Sequence, residues 1–189
     1  MSNKSLLSFF KRCAFSENEL SLFDGALAAK VEVNQEHRIL KAHAELKKYV
    51  SFSHIQALED KVKSTYDLNG VEIIPSFDAV AFDVDHWSDI VECAKRKNGG
   101  VNGFLNDSSI ELNDTKLTVF LKYGGLDIIN ALGVEKTLRD VFAEWYHMNI
   151  KVEFDGSTQV DDSNRVEIPE PAVEELPPPP EPVTPPQPK

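Results

Sequence analysis

The chain has 189 residues, 41% of them hydrophobic, enough to build one or two small cores. It carries 20 Lys and Arg against 31 Asp and Glu, a formal net charge of −11. Such a surface repels phosphate over most of its area, so nucleic-acid binding would require a concentrated basic patch.

From the N-terminus, Leu6, Phe9, Phe10 and Cys13 fall at helical spacing, and residues 5–23 read as one or two short helices packed on a core. A membrane-surface helix is the alternative, but this stretch has little basic decoration. Ala29 to Val33 and Leu40 to Leu46 alternate apolar and polar around Asn34-Gln35-Glu36, the pattern of a half-buried hairpin. Ser51 or Ser53 is placed to cap a helix carrying Phe52, Ile55, Leu58, Val62 and Tyr66 on one face. Leu68-Asn69-Gly70 should stop it, and Val71 to Ile74 should form a third strand ended by Pro75. Hairpin, helix and strand make a small α+β unit, giving a first domain over residues 1–80.

After the acidic strip at Phe82 to Asp85, the pattern predicts helix, hairpin, two helices and a final strand. Trp87, Ile90, Val91 and Ala94 line the first helix, which should end at Asn98-Gly99. Ile110 to Leu112 and Lys116 to Lys122 pair around Asn113-Asp114. Leu126 to Leu132 is a short helix, and Leu138, Val141, Phe142, Trp145 and Tyr146 mark the buried side of a longer one. Ile150 to Phe154 closes the unit as a strand, so the second domain runs over residues 81–156.

The stretch that demands a functional reading is Lys95-Arg96-Lys97, followed by Gly100-Val101-Asn102-Gly103. Cations beside a GxxG tetrapeptide are what a KH domain uses to clamp a nucleic-acid backbone. The element order α-β-β-α-α-β is that of a type II KH fold, which puts the clamp between the two helices after the hairpin. Here that place reads Ala131-Leu132-Gly133-Val134-Glu135-Lys136, with one glycine and a glutamate where phosphate would approach. A type I order would need a full helix after Gly103, and only Phe104 to Asp107 is available. Three cations at a helix C-terminus also offset its partial negative charge, and glycines commonly follow a helix stop. Lys95, Arg96, Lys97, Gly100 and Gly103 therefore remain the site of a rival, nucleic-acid-binding reading.

Residues 157–189, with 2 basic and 7 acidic residues, change character completely. PEPAVEELPPPPEPVTPPQPK has no aromatic residue and is expected to be a disordered, extended acidic linker, as though leading into something longer. Its PxxP spacings also suit an SH3-type ligand. Cys13 and Cys93 share no pairing pattern, which points to a reducing, cytoplasmic compartment. The five histidines, at 37, 43, 54, 86 and 147, show no ligand spacing. No apolar run nears the roughly 20 residues needed to cross a membrane, and the N-terminal patch is too short for a signal peptide.

In this order, the two units resemble the N-terminal region of the PolC-type DNA polymerase III alpha subunit of Gram-positive bacteria. The resemblance is carried by Ala29-Lys30-Val31-Glu32-Val33 with Arg38-Ile39-Leu40, and by Tyr49-Val50-Ser51-Phe52. It continues in His86-Trp87-Ser88-Asp89-Ile90, Val141-Phe142-Ala143-Glu144-Trp145-Tyr146 and Ile150-Lys151-Val152, covering roughly residues 20–156. In that family the second domain is similar to the alpha-binding, pseudo-KH domain of the clamp-loader tau subunit. The resemblance implies a role in DNA replication through replisome proteins, tau or other polymerase-associated proteins. The charge balance, the place of the glycine loop and the short apolar runs lead to no expectation of a direct nucleic-acid grip or of a membrane partner.

The family's polymerase, exonuclease, PHP and oligonucleotide-binding regions have no counterpart in these residues. Nucleotidyl transfer needs carboxylates jointly holding two metal ions. Asp83/Asp85 and Asp161/Asp162 lie at a domain boundary and in the linker. The expectation is a non-catalytic interaction region with no catalytic, cofactor-binding or metal-binding residue. The rivals are the KH-like adaptor and, more weakly, a small stand-alone enzyme.

Overall fold

The computed structural model describes residues 4–78, 80–101 and 103–159. The fold is mixed α+β, with two sheets and five α-helices among these residues. The expected linker falls almost wholly at 160–189, outside the described residues.

A 3₁₀ turn at Leu6–Phe9 and the helix α1 (Glu17–Leu22) open the chain. The apolar stripe around Phe10 is therefore not one α-helix: Leu6 and Phe10 are buried, while Phe9 points out. α1 starts on a reciprocal cap, in which the Ser16 hydroxyl accepts from the Glu19 amide and the Glu19 carboxylate accepts from the Ser16 amide.

The first sheet has the order β1-β2-β3-β4, formed by Lys4–Ser5, Leu27–Asn34, Ile39–Glu45 and Gly70–Ser76. β2 and β3 are the expected antiparallel hairpin, and Val31, Ala42 and Ile73 fall in one row across β2, β3 and β4. β4 runs parallel to β3, which requires a crossover. That crossover is α2 (Phe52–Tyr66), which buries Phe52, Ile55, Leu58 and Val62. α2 ends at Asp67 in the left-handed conformation, one residue before the predicted stop. Pro75 does not end β4, because β4 is an edge strand where a missing amide donor is tolerated.

The second sheet repeats this plan. β5 (Ser109–Asn113) and β6 (Lys116–Phe120) form a hairpin, and β7 (Lys151–Asp155) lies parallel to β6. The crossover here is a helix pair, α4 (Leu126–Ala131) and α5 (Val134–Tyr146), and α3 (Trp87–Lys97) precedes the hairpin. The observed order is thus α, β, β, α, α, β.

Apart from Ile74, the buried apolar residues of both segments belong to one cluster. Trp145 of α5 packs on Phe52 of α2 and on Phe77 beyond β4. The Phe77 amide donates to the Trp145 carbonyl at 2.6 Å. Ile74, on the opposite face of β4 from Ile73, is also buried and lines a groove with Glu144 and His147.

Candidate interaction surface

The three cations of the suspect stretch end α3, and each meets a carboxylate. Lys95 Nζ lies 2.7 Å from Glu92, and Lys97 Nζ lies 2.6 Å from Glu144 on α5. Arg96 Nη1 reaches both Glu59 oxygens, at 3.0 and 2.8 Å, and its guanidinium stacks 4.8 Å from the centre of the Phe52 ring. Glu59 is a buried acid on α2, and its carboxylate also accepts from the Ile73 amide at 2.6 Å. Burial pushes the Glu59 carboxyl above its ordinary range, against the lowering pull of that amide and of Arg96. Arg96 therefore ties α3 to α2 and β4.

The glycine loop has a structural partner that the sequence does not show. Asn98 Nδ2 donates to the Leu132 carbonyl at 3.0 Å and to Thr137 Oγ1 at 3.2 Å, while its Oδ1 accepts from the Gly100 amide. A Cβ on Gly100 would sit 2.8 Å from a Leu132 methyl. Asn98 thus docks the GxxG stretch on the α4–α5 loop, so the two candidate clamp loops share one corner. The signal for this was present in the helix-stopping Asn98-Gly99, but not its target. Gly103 has φ of +88°, with open space where a side chain would lie.

This corner is poorly suited to an anion. α3 presents its negative C-terminal end to the loop, and α5 begins with Glu135 in its first turn, ion-paired to Arg139. Leu132 and Ile128, both about 40% exposed, give it an apolar margin instead.

Two shallow grooves flank the helices. One of about 350 Å³ lies between α3 and the following turn, lined by Trp87, Val91, Glu92, Lys95, Leu105 and Ser108. The other, about 300 Å³, lies beside β4 and is lined in part by His43, Ile74, Ser76, Asp78 and His147. In it Ser76 Oγ, Asp78 Oδ1 and His147 Nε2 meet within 2.5 to 2.9 Å. Both the hydroxyl and the carboxylate address the same ring nitrogen. A nucleophilic relay needs them on opposite nitrogens, so this trio is not arranged to activate Ser76. Among the described residues no group of three or more His, Cys, Asp or Glu is placed to hold a metal ion. No described helix is long and apolar enough to cross a membrane.

Sequence reasoning also missed an aromatic cluster where the two sheets' helices meet. His86, in the 3₁₀ turn before α3, stacks on Tyr49 with ring centres 3.6 Å apart and lies parallel to Tyr146 of α5. The Tyr49 hydroxyl donates to Asp89 of α3, and Asp89 in turn accepts from the Phe52 amide at 2.9 Å. Asp89, and not Ser51 or Ser53, is the side-chain cap of α2. Nothing local could reveal it, because the cap lies on another helix.

No protein-family model and no curated protein matches the chain.

Proposed function

We propose that this chain is a non-catalytic protein-interaction region of the kind found at the N-terminus of a PolC-type DNA polymerase III alpha subunit. Its second unit would serve as a clamp-less, KH-like module for docking replisome proteins. The observation that carries this reading is the engagement of Lys95, Arg96 and Lys97 by Glu92, Glu59 and Glu144. Cations held by carboxylates of the same chain are poorly available to phosphate, and their surroundings are acidic. The mixed sheet β5-β6-β7 with its crossover helix pair supports the KH-like description. Exposed apolar residues, Val33 and Ile39 near the hairpin end, Ile128 on α4 and Leu132 just after it, supply contact area for a protein partner.

The test is a pair of titrations of the full chain. Single-stranded DNA or RNA at low salt should bind weakly, and changing Lys95, Arg96 and Lys97 together to Ala should not alter that binding. The tau subunit of a Gram-positive clamp loader should bind with little dependence on salt. Micromolar nucleic-acid binding abolished by the triple change would replace this reading with the clamp at Lys95 to Gly103.

A further inference from the structure

His86 sits where the first sheet's helix meets the second unit, and its hydrogen bonds fix its protonation state. Its Nδ1 lies 3.2 Å from the Asp83 amide, which can only donate. The same nitrogen lies 2.9 Å from the Tyr146 hydroxyl. Nδ1 is therefore an acceptor, the ring is neutral, and its proton is on Nε2. Around it the Phe77 ring packs on Tyr49, Trp145 and Tyr146. Phe82 packs on His86, Phe142 and Tyr146. One imidazole thus holds the last turn of α5, the turn before α3 and the residues leading into α2.

We propose that His86 is an acid-sensitive latch: its neutral ring holds this junction closed, and protonation of the ring loosens α5 and α3 from the α2 side. Protonation places a hydrogen on Nδ1 facing the Asp83 amide, a donor that cannot reverse. The Tyr146 hydroxyl can rotate to accept, but Asp83 N–H then points at a cation. The groups facing the ring are Asp83 and Asp85 on its own turn, Asp89 on α3, Tyr146 on α5 and Tyr49 ahead of α2. The three carboxylates favour the cation, yet burial outweighs them and lowers the imidazole below its ordinary value. The sign follows directly. A group with a depressed pKa in the closed state contributes stability above its ordinary value, near 6.5, and loses it as pH falls through the closed-state value.

The experiment combines ring nitrogen NMR with amide hydrogen exchange, corrected for intrinsic rates, at pH 7.5 and 5.5. His86 should be the Nε2–H tautomer at pH 7.5 and titrate below an ordinary histidine. The Phe77 and Phe52 amides should lose protection at pH 5.5, while amides inside the β2–β3 and β5–β6 ladders keep theirs. Opening should rise up to about tenfold for each pH unit separating the closed and open titrations. Tyr146→Phe removes one donor to Nδ1, so the titration should move upward. His86→Asn keeps an acceptor near the Nδ1 position without a titrating ring, so junction protection should become equal at the two pH values. A His86 that titrates at or above the ordinary value would overturn the proposal. So would junction and ladder amides that weaken together, or a titration that Tyr146→Phe leaves in place.

Discussion

The Arg96 guanidinium spans both oxygens of a buried Glu59, and truncating it would leave that carboxylate with only the Ile73 amide. Arg96→Ala should cost about 3 kcal/mol, the low end for breaking a buried pair, because Arg96 itself is partly exposed. The loss should also depend on pH. Burial already holds the Glu59 carboxyl above its ordinary value in the folded chain, and losing the lowering pull of Arg96 would raise it further. A raised carboxyl contributes stability below its unfolded pKa and loses it as pH rises through the folded value. Urea midpoints of the variant should therefore fall further below wild type at pH 7 than at pH 5. Cys93 makes a second residue-scale test. Burial pushes its thiol up to about 11, so it should resist a thiol reagent at pH 8 until denaturant is added. Rapid labelling of Cys93 in the native chain would contradict its burial on α3.

At the scale of elements, the informative helices are α2 and α5. Asp89 satisfies the first amide of α2 from α3, so Asp89→Ala should destabilise the chain by about 1–2 kcal/mol, although it changes nothing within α2. Ser51→Ala, at the local N-cap position, should cost less, because the Ser51 side chain caps no amide there. Comparing the two thermal midpoints checks this. Trp145 on α5 is 1% exposed and packs on Phe52 and Phe77, both outside its own unit. Trp145→Ala should cost about 3–5 kcal/mol. An unchanged melting temperature would mean that this side chain lies on an open surface.

For the whole molecule, the amphipathic patterns divide the chain at residue 80, each half able to close its own sheet. Contacts cross that point at a buried pair, Phe77 with Trp145, and at two partly buried ones, Glu59 with Arg96 and Tyr49 with His86. Interfaces of that character couple the stability of the parts they join. The described residues should therefore unfold in one calorimetric transition, with equal van't Hoff and calorimetric enthalpies. Two resolved transitions would show that the halves are thermodynamically independent.

The sequence by itself determined most of the elements, the exception being the N-terminal stretch, where a short strand and a 3₁₀ turn precede α1. Val31 and Ala42 on alternating strands, Ile55 and Val62 on a helical stripe, and Asn98-Gly99 at a helix stop are local patterns, set by backbone geometry within a few residues. Only the tertiary structure decided what those elements serve. Lys95, Arg96 and Lys97 read as a basic patch because their partners, Glu59 and Glu144 above all, are remote in sequence. The same holds for Asn98 on Leu132, for Asp89 capping α2 and for the neutral His86 between two tyrosines. Whether a cation is free or paired, and whether an imidazole accepts or donates, depends on groups that folding brings within about 3 Å. That proximity has no period along the chain from which it can be read.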